Sequence, residues 1–278
     1  INFCKRIFKN HIFFKKILFK SNTFKISSEL AIISTNSNER FSIAKDLIKK
    51  NKIRNLILEK FLTNKMSDLK NFIKLTKSAN IWINHIYRYQ EAFTFLKKHL
   101  NKKNHRKLNI LIKGNNLNVT SNLIHFVDYA SFFMNDKVKI SKILFSKNIK
   151  WSKSKKNYWE FNGGVEVLFD NSTLVKVKSE NSQTKKIYSL HKIFNDKKIY
   201  EIKNSYSTEK AILKFENKKF IFSCPFLSNS TYKEAEKILF KKKNIKLSKL
   251  NNIIFLYSSI IKNFLKNYNS FFKLKNNK

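Results

Sequence analysis

Apolar residues recur at helical spacing early in the chain: Phe41, Ala44, Leu47 and Ile48, then Leu58, Phe61 and Leu62. That spacing predicts helix through residues 39–79. Within it, Ser67-Asp68 is placed to cap a segment carrying Leu69, Phe72, Ile73 and Leu75. Another helix is predicted over 90–100, with Ala92, Phe93, Leu96 and Leu100 on one side. The period then changes. Leu-Asn-Ile-Leu-Ile at 108–112 predicts a strand, 115–118 a turn, and Leu123, Phe126, Val127, Ala130 and Phe133 the apolar face of a helix. Thr120 or Ser121 can cap that helix, and Asn135-Asp136 closes it. A second strand over 138–144 completes a strand–helix–strand unit, consistent with a crossover connection. Residues 158–161 and 165–169 flank Asn162-Gly163-Gly164 and predict a hairpin. Strand-like pieces follow at 174–177, 199–202, 211–215 and 220–222. Helices are predicted over 231–243 and 253–268.

Composition changes how the turns are read. Among 278 residues there are 3 Gly and 1 Pro, so turns are expected at Asn, Ser and Asp, which tolerate left-handed backbone. Asn occurs 36 times and Phe 27, against 7 Ala and 5 Arg. This bias toward residues with A/T-rich codons points to an organellar gene and a mitochondrial location.

Charge narrows the partners. Lys and Arg number 58, Asp and Glu 18, for a net charge of +40. A compact domain so charged repels itself and calls for counter-charge. The basic residues run from Lys5 to Lys278 rather than along one helix face, which favours nucleic acid over a membrane surface. The longest apolar stretch, 253–261, contains two serines and falls short of the roughly 20 residues a bilayer span needs. Two cysteines, Cys4 and Cys224, exclude a disulfide scaffold.

Catalytic and metal-binding patterns are not spelled out. Lys113-Gly114 is not a phosphate-cradling loop. His85, His99 and His105 lack metal-ligand spacing and read as solvated or RNA-facing. Glu234 and Glu236 read as surface ion pairs. No cofactor, no metal and no enzymatic activity is expected.

Residues 108–161 carry a resemblance. A strand ending in Ile112-Lys113 leads to a helix containing Phe126-Val127-Asp128-Tyr129-Ala130. A strand with Val138, Leu144, Ser146 and Lys147 in register is followed by Lys153-Ser154-Lys155-Lys156-Asn157-Tyr158-Trp159-Glu160-Phe161. In element order and spacing this resembles the ribosomal protein ten family of the small subunit, in organellar form. The family's glycine and prolines are replaced here by Ile140, Ser141, Ile143 and Phe145.

The resemblance implies an α+β fold with a ferredoxin-like β-α-β-β-α-β core at 106–250, carrying an insertion near 170–230. A helical basic extension (1–105) precedes the core, and a C-terminal helix with a basic tail (251–278) follows it. It implies a structural constituent of the mitochondrial small ribosomal subunit, supporting translation, with ribosomal RNA and neighbouring ribosomal proteins as partners and no stable free monomer. Small-subunit ribosomal protein three is an alternative, since Phe95-Leu96-Lys97-Lys98-His99-Leu100 is similar to its KH entry, but its Gly-x-x-Gly loop is absent. A lineage-specific mitoribosomal protein and an RNA-processing, maturase-like factor are the others.

RNA contact is expected at Lys142, Lys147, Lys150, Trp151, Lys153, Lys155 and Lys156, where an aromatic sits among lysines. It is also expected at Lys102, Lys103, Arg106 and Lys107, and in terminal arms at Lys15 and Lys16 and at Lys273, Lys275 and Lys278.

Overall fold

A computed structural model describes residues 28–276 apart from 52, 102–106, 137, 147–148, 156–157, 181–187, 196–197, 206–207, 225–226 and 243. The first third is an α/β unit. Strands β1 (Leu30–Ile33), β2 (Asn55–Glu59) and β3 (Asn80–Asn84) pair in parallel, with Ile32 beside Ile57 and Ile57 beside Trp82. Helices α1 (Arg40–Asn51) and α2 (Met66–Leu75) cross between them. Leu56, Ile57 and Leu58 are all buried, because both faces of a parallel sheet are covered. Their side chains form an apolar run instead of an alternation, so the region expected to be helical around Leu58 is a strand. α1 turns Ala44 and Ile48 inward and leaves Lys45, Lys49 and Lys50 in solvent.

The second sheet has nine strands. Between the two sheets run α3 (Glu91–Asn101) and α4 (Val119–Phe133). The strands are β4 (Asn109–Asn115), β5 (Ile140–Phe145), β6 (Lys150–Lys155), β7 (Tyr158–Phe169) and β8 (Leu174–Glu180), then β9 (Tyr188–Asn195), β10 (Lys198–Ser205), β11 (Lys210–Phe215) and β12 (Lys218–Ser223). Their order is 12-11-10-9-4-8-7-5, with β6 on β7. Only β4 and β8 pair in parallel. The strand–helix–strand unit forms, but β8 and β7 lie between its two strands. α4 covers β7 and β8, while α3 covers β11 and β12.

Helix α5 (Leu227–Leu239) and the short β13 (Ser248–Lys249) return to the first sheet, where β13 pairs antiparallel with β3. The terminal α6 (Leu250–Asn276) buries Ile253, Leu256, Tyr257, Ile260, Ile261 and Phe264. That stripe recurs at three- and four-residue steps and lies against α2, α4 and β5. Each such side chain stabilises the fold by ~1.5–3 kcal/mol. One hydrophobic cluster runs from Ile33 to Phe264 and joins the two sheets.

A ferredoxin-like β-α-β-β-α-β core with a long helical extension is therefore not the fold. Two mixed sheets and six helices are present among the described residues. The predicted hairpin at Asn162-Gly163-Gly164 is one continuous strand, β7. The glycines are there for close approach. Gly163 has φ +134°, and a Cβ on it would stand 3.2 Å from Ser146 Oγ and 3.4 Å from Ile149 Cα. Gly164 N–H donates to that Ser146 Oγ at 3.0 Å. Among the described residues Asn and Asp supply six of the ten other left-handed positions, at Asn116, Asn118, Asn135, Asp136, Asn217 and Asn244, and Ser172, Glu209, Glu216 and Lys241 supply the rest.

Candidate active site at the ends of two parallel strands

In a parallel sheet the side chains at the carboxyl ends of the strands face the crevice where ligands bind. Here β2 ends in Glu59 followed by Lys60, and β3 ends in Asn84 followed by His85. Helix α4 lies across these ends. It is buried almost all round, so its polar residues are enclosed with its apolar ones. Among them are His125 and Asp128.

Lys60 reaches across from the sheet to α4. Its ammonium donates to the Ser121 carbonyl at 3.2 Å and to Asn122 Oδ1. Burial lowers its pKa, opposed by Glu160 and Glu59. Glu160 arrives from β7, where its Oε2 accepts the Thr120 N–H at 3.0 Å, and the Thr120 hydroxyl oxygen accepts the Phe161 N–H at 3.1 Å. Glu59 is pushed up by burial, and its carboxylate accepts from Asn84.

Behind Lys60 the two histidines meet. His85 Nδ1 lies 3.2 Å from His125 Nδ1, with the rings edge to face. Burial lowers His85 to about 4, with Asp128 opposing, and drives His125 well below the ordinary histidine value, helped by Lys60 and His85. Both rings are therefore neutral at pH 7. His85 is fully buried, whereas His125 keeps 6% of its surface.

Asp128 anchors the far side. Burial pushes its pKa up, but Arg88 outweighs that and holds it below the ordinary carboxylate value. Arg88 grips Asp128 through Nε–Oδ2 at 2.7 Å and Nη2–Oδ1 at 2.8 Å, and Asp136 through Nη1–Oδ2 at 2.9 Å and Nη2–Oδ1 at 2.6 Å. Ser248 Oγ donates to Asp128 Oδ1 at 3.0 Å. Strand β13 is thereby tied to the cluster.

A third buried histidine behaves differently. His191 Nδ1 meets the Tyr129 hydroxyl at 3.0 Å and its Nε2 meets Ser189 Oγ at 2.9 Å. Both ring nitrogens are engaged and all three residues are enclosed, so this chain of contacts is structural. Among the described residues there is no group of metal-ligating side chains and no helix long and apolar enough to cross a membrane.

The residues expected to touch RNA are dispersed. Lys142 is exposed on β5, and Lys107 is exposed just before β4. Lys150, Trp151, Lys153 and Lys155 lie on β6, and Lys273 and Lys275 on the last turns of α6. Lys15, Lys16, Lys102, Lys103, Arg106, Lys147, Lys156 and Lys278 fall outside the described residues. His85, expected to be solvated, is enclosed. Lys60, His125 and Asp128 were not among the expected site residues. The signal for them was a Glu-Lys pair closing a short apolar run, and two ionisable residues in a helix that is otherwise mostly apolar.

No family model and no curated relative matches the chain. Solved structures do. The chain is similar to UDP-N-acetylglucosamine 3-dehydrogenase of Acidithiobacillus ferrooxidans, with TM-score 0.64 and 10% identity over 84% of this chain and 76% of that one. It is similar to a dehydrogenase of Clostridium difficile, at 0.59 and 14% over 86% and 79%. It is also similar to the transcriptional regulator Gal80p of Kluyveromyces lactis, at 0.62 and 13% over 84% and 73%. These likenesses are of fold: all three proteins share the two-sheet architecture of this chain.

The resemblance to ribosomal protein ten is thus overturned, and with it the small-subunit role in translation and the partnership with ribosomal RNA and ribosomal proteins. The expectation of no enzymatic activity falls too, since neighbours of this fold are named dehydrogenases. The physical error lay in the charge. Lysines occupy the solvent faces of element after element, as on α1 and at Lys70 and Lys74 of α2.

A Rossmann-type fold holds a dinucleotide on a glycine-rich turn where the strand order reverses. The residues present do not fit it. Among the described residues the parallel order runs β1-β2-β3 without reversal, and β1 ends the sheet. The turn after β1 is Ser34-Thr35-Asn36-Ser37-Asn38-Glu39, and the first glycine of the sequence is Gly114. The Arg40 side chain fills the space under this turn, donating to the carbonyls of Glu59 at 2.7 Å, Phe61 and Thr35.

Proposed function

We propose that this chain is an oxidoreductase-type enzyme unit that holds a hydroxyl-bearing small molecule at Lys60 and His125 and moves a proton at the substrate oxygen. One observation carries the reading. A desolvated lysine and a neutral histidine, both with depressed pKa, stand together at the carboxyl ends of parallel strands. Strongly perturbed titratable groups held together by specific partners mark candidate functional sites. His125, with one nitrogen engaged by His85, uses the other to take or return the proton. The Lys60 ammonium, anchored on Ser121 and Asn122, stabilises negative charge developing on the same oxygen. The name of the UDP-N-acetylglucosamine dehydrogenase supports a polyhydroxylated, sugar-like ligand. The described residues supply the acid–base side of such a reaction and no dinucleotide cradle.

A second reading is a ligand-sensing regulator without turnover, favoured by that missing cradle and by the likeness to Gal80p. Saturation-transfer NMR with a panel of sugars, polyols and nucleotide sugars tests the shared premise. Binding is expected, and it should fall at least tenfold in Lys60→Met and His125→Asn. A panel with no hits, or hits indifferent to both substitutions, removes the reading. Turnover of a hit with nicotinamide dinucleotide or a dye acceptor added separates enzyme from sensor.

A further inference from the structure

The histidine pair constrains itself. Two neutral imidazoles that meet through Nδ1 and Nδ1 at 3.2 Å share one proton between those nitrogens. If His85 donates, its Nε2 carries a lone pair and His125 carries its proton on Nε2. If His125 donates, the assignments reverse, and His125 Nε2 is left as an acceptor. Which holds is decided by what surrounds His85.

His85 Nε2 faces two oxygens. Tyr257 Oη lies 3.5 Å away and Asp128 Oδ1 4.0 Å away. The Tyr257 hydroxyl can donate or accept, so the carboxylate discriminates: a lone pair there would face it, whereas an N–H would point toward an acceptor. Arg88 offsets part of the Asp128 charge, yet it is shared with Asp136. Lys97 also acts on both carboxylates, so the formal charges on this side balance, but of the charges around His85 Asp128 acts most strongly. The Lys60 ammonium acts on both rings, ahead of the other charges at His125 and behind Asp128 and Arg88 at His85, and a cation favours a lone pair over an N–H on the ring it faces.

Resting on the reading of Lys60 and His125 as the proton-transfer pair, we propose that Asp128 and His85 are positioning residues that fix the tautomer of His125. Asp128 holds the His85 proton on Nε2. His85 Nδ1 then accepts from His125 Nδ1–H, and His125 Nε2 presents its lone pair to the ligand as an acceptor of a hydroxyl proton. Neither Asp128 nor His85 touches the substrate. The proton taken from the hydroxyl ends on His125 Nε2, giving an imidazolium whose Nδ1–H is already bonded to His85. Asp128 stays ionised throughout, as the orienting carboxylate of a triad does.

Full-length protein labelled with 15N in the histidine rings tests this without any ligand. Long-range 15N–1H correlation at pH 7 should show His125 protonated on Nδ1 and His85 on Nε2. Asp128→Asn, which keeps the shape and removes the charge, should invert both assignments. Ser248→Ala, which removes only the hydroxyl on Asp128 Oδ1, should leave them as in the wild type. If Asp128→Asn does not fold, the wild-type spectrum still decides. His125 protonated on Nε2 in the wild type overturns the proposal, and so does a folded Asp128→Asn with unchanged tautomers. Failure of the ligand screen with the expected tautomers would instead remove only the functional reading.

Discussion

Replacing Arg88 by Met tests the physical account of the site most sharply on the stability side. Arg88 is 5% exposed and donates four charge-assisted hydrogen bonds, two to each carboxylate. Asp136 is partly open to water, so its share is small. Asp128 is fully enclosed, and without the guanidinium it keeps only Ser248 as a hydrogen-bond donor among the contacts described above. Breaking a buried pair by removing one partner costs ~3–5 kcal/mol, a third or more of a typical total of ~5–15 kcal/mol. Urea unfolding should show a lower midpoint at unchanged slope.

The pH dependence carries the sign. In the wild type Asp128 sits below its unfolded pKa, so its contribution is present above the ordinary carboxylate range and is lost as pH falls through the folded value. In Arg88→Met, burial outweighs the remaining Ser248 hydrogen bond and raises Asp128. Protonation then relieves the penalty, so the variant's deficit should shrink between pH 7 and pH 5. A loss under ~1 kcal/mol, or a deficit that grows on acidification, would refute the reasoning.

Three further outcomes follow. His85, His125 and His191 are all depressed by burial, the first to about 4 and the last to about 3, so the unfolded chain binds protons first. Stability should fall between pH 6.5 and 5 by ~2 kcal/mol per histidine, measured by denaturant titration, and His191→Gln should flatten the slope by one proton. Lys60, with its lowered pKa, should undergo reductive methylation at a pH where an ordinary lysine is still protonated, as read by peptide mass spectrometry. Gly163→Ala forces a Cβ against Ser146 and Ile149 at positive φ and should cost ~1–3 kcal/mol in thermal unfolding. A neutral result would mean that β7 can bend otherwise.

Much of the fold could be read from residue patterns. α6 announced itself through three- and four-residue steps, and β8, β10, β11 and β12 through alternation, because one face of each is buried and the other is not. The parallel strands could not be read that way. Leu56-Ile57-Leu58 and Ile81-Trp82-Ile83 are enclosed on both sides, and a short apolar run has no period. With neither Gly nor Pro nearby to mark its ends, β2 merged with the helical spacing around it. The site was hidden for a related reason. Lys60, His85, His125 and Asp128 come from three elements far apart in sequence, and only the packing of α4 across β2 and β3 brings them together. The charge misled in the opposite direction, since a large total says nothing of where each lysine sits.

The central claim is that Lys60 and His125 together receive a substrate hydroxyl. A crystal structure with a sugar or polyol found in the binding screen tests it most directly. The account predicts one ligand oxygen within ~2.6–3.2 Å of both Lys60 Nζ and His125 Nε2. A ligand seated elsewhere, or one whose oxygens avoid both nitrogens, would contradict it.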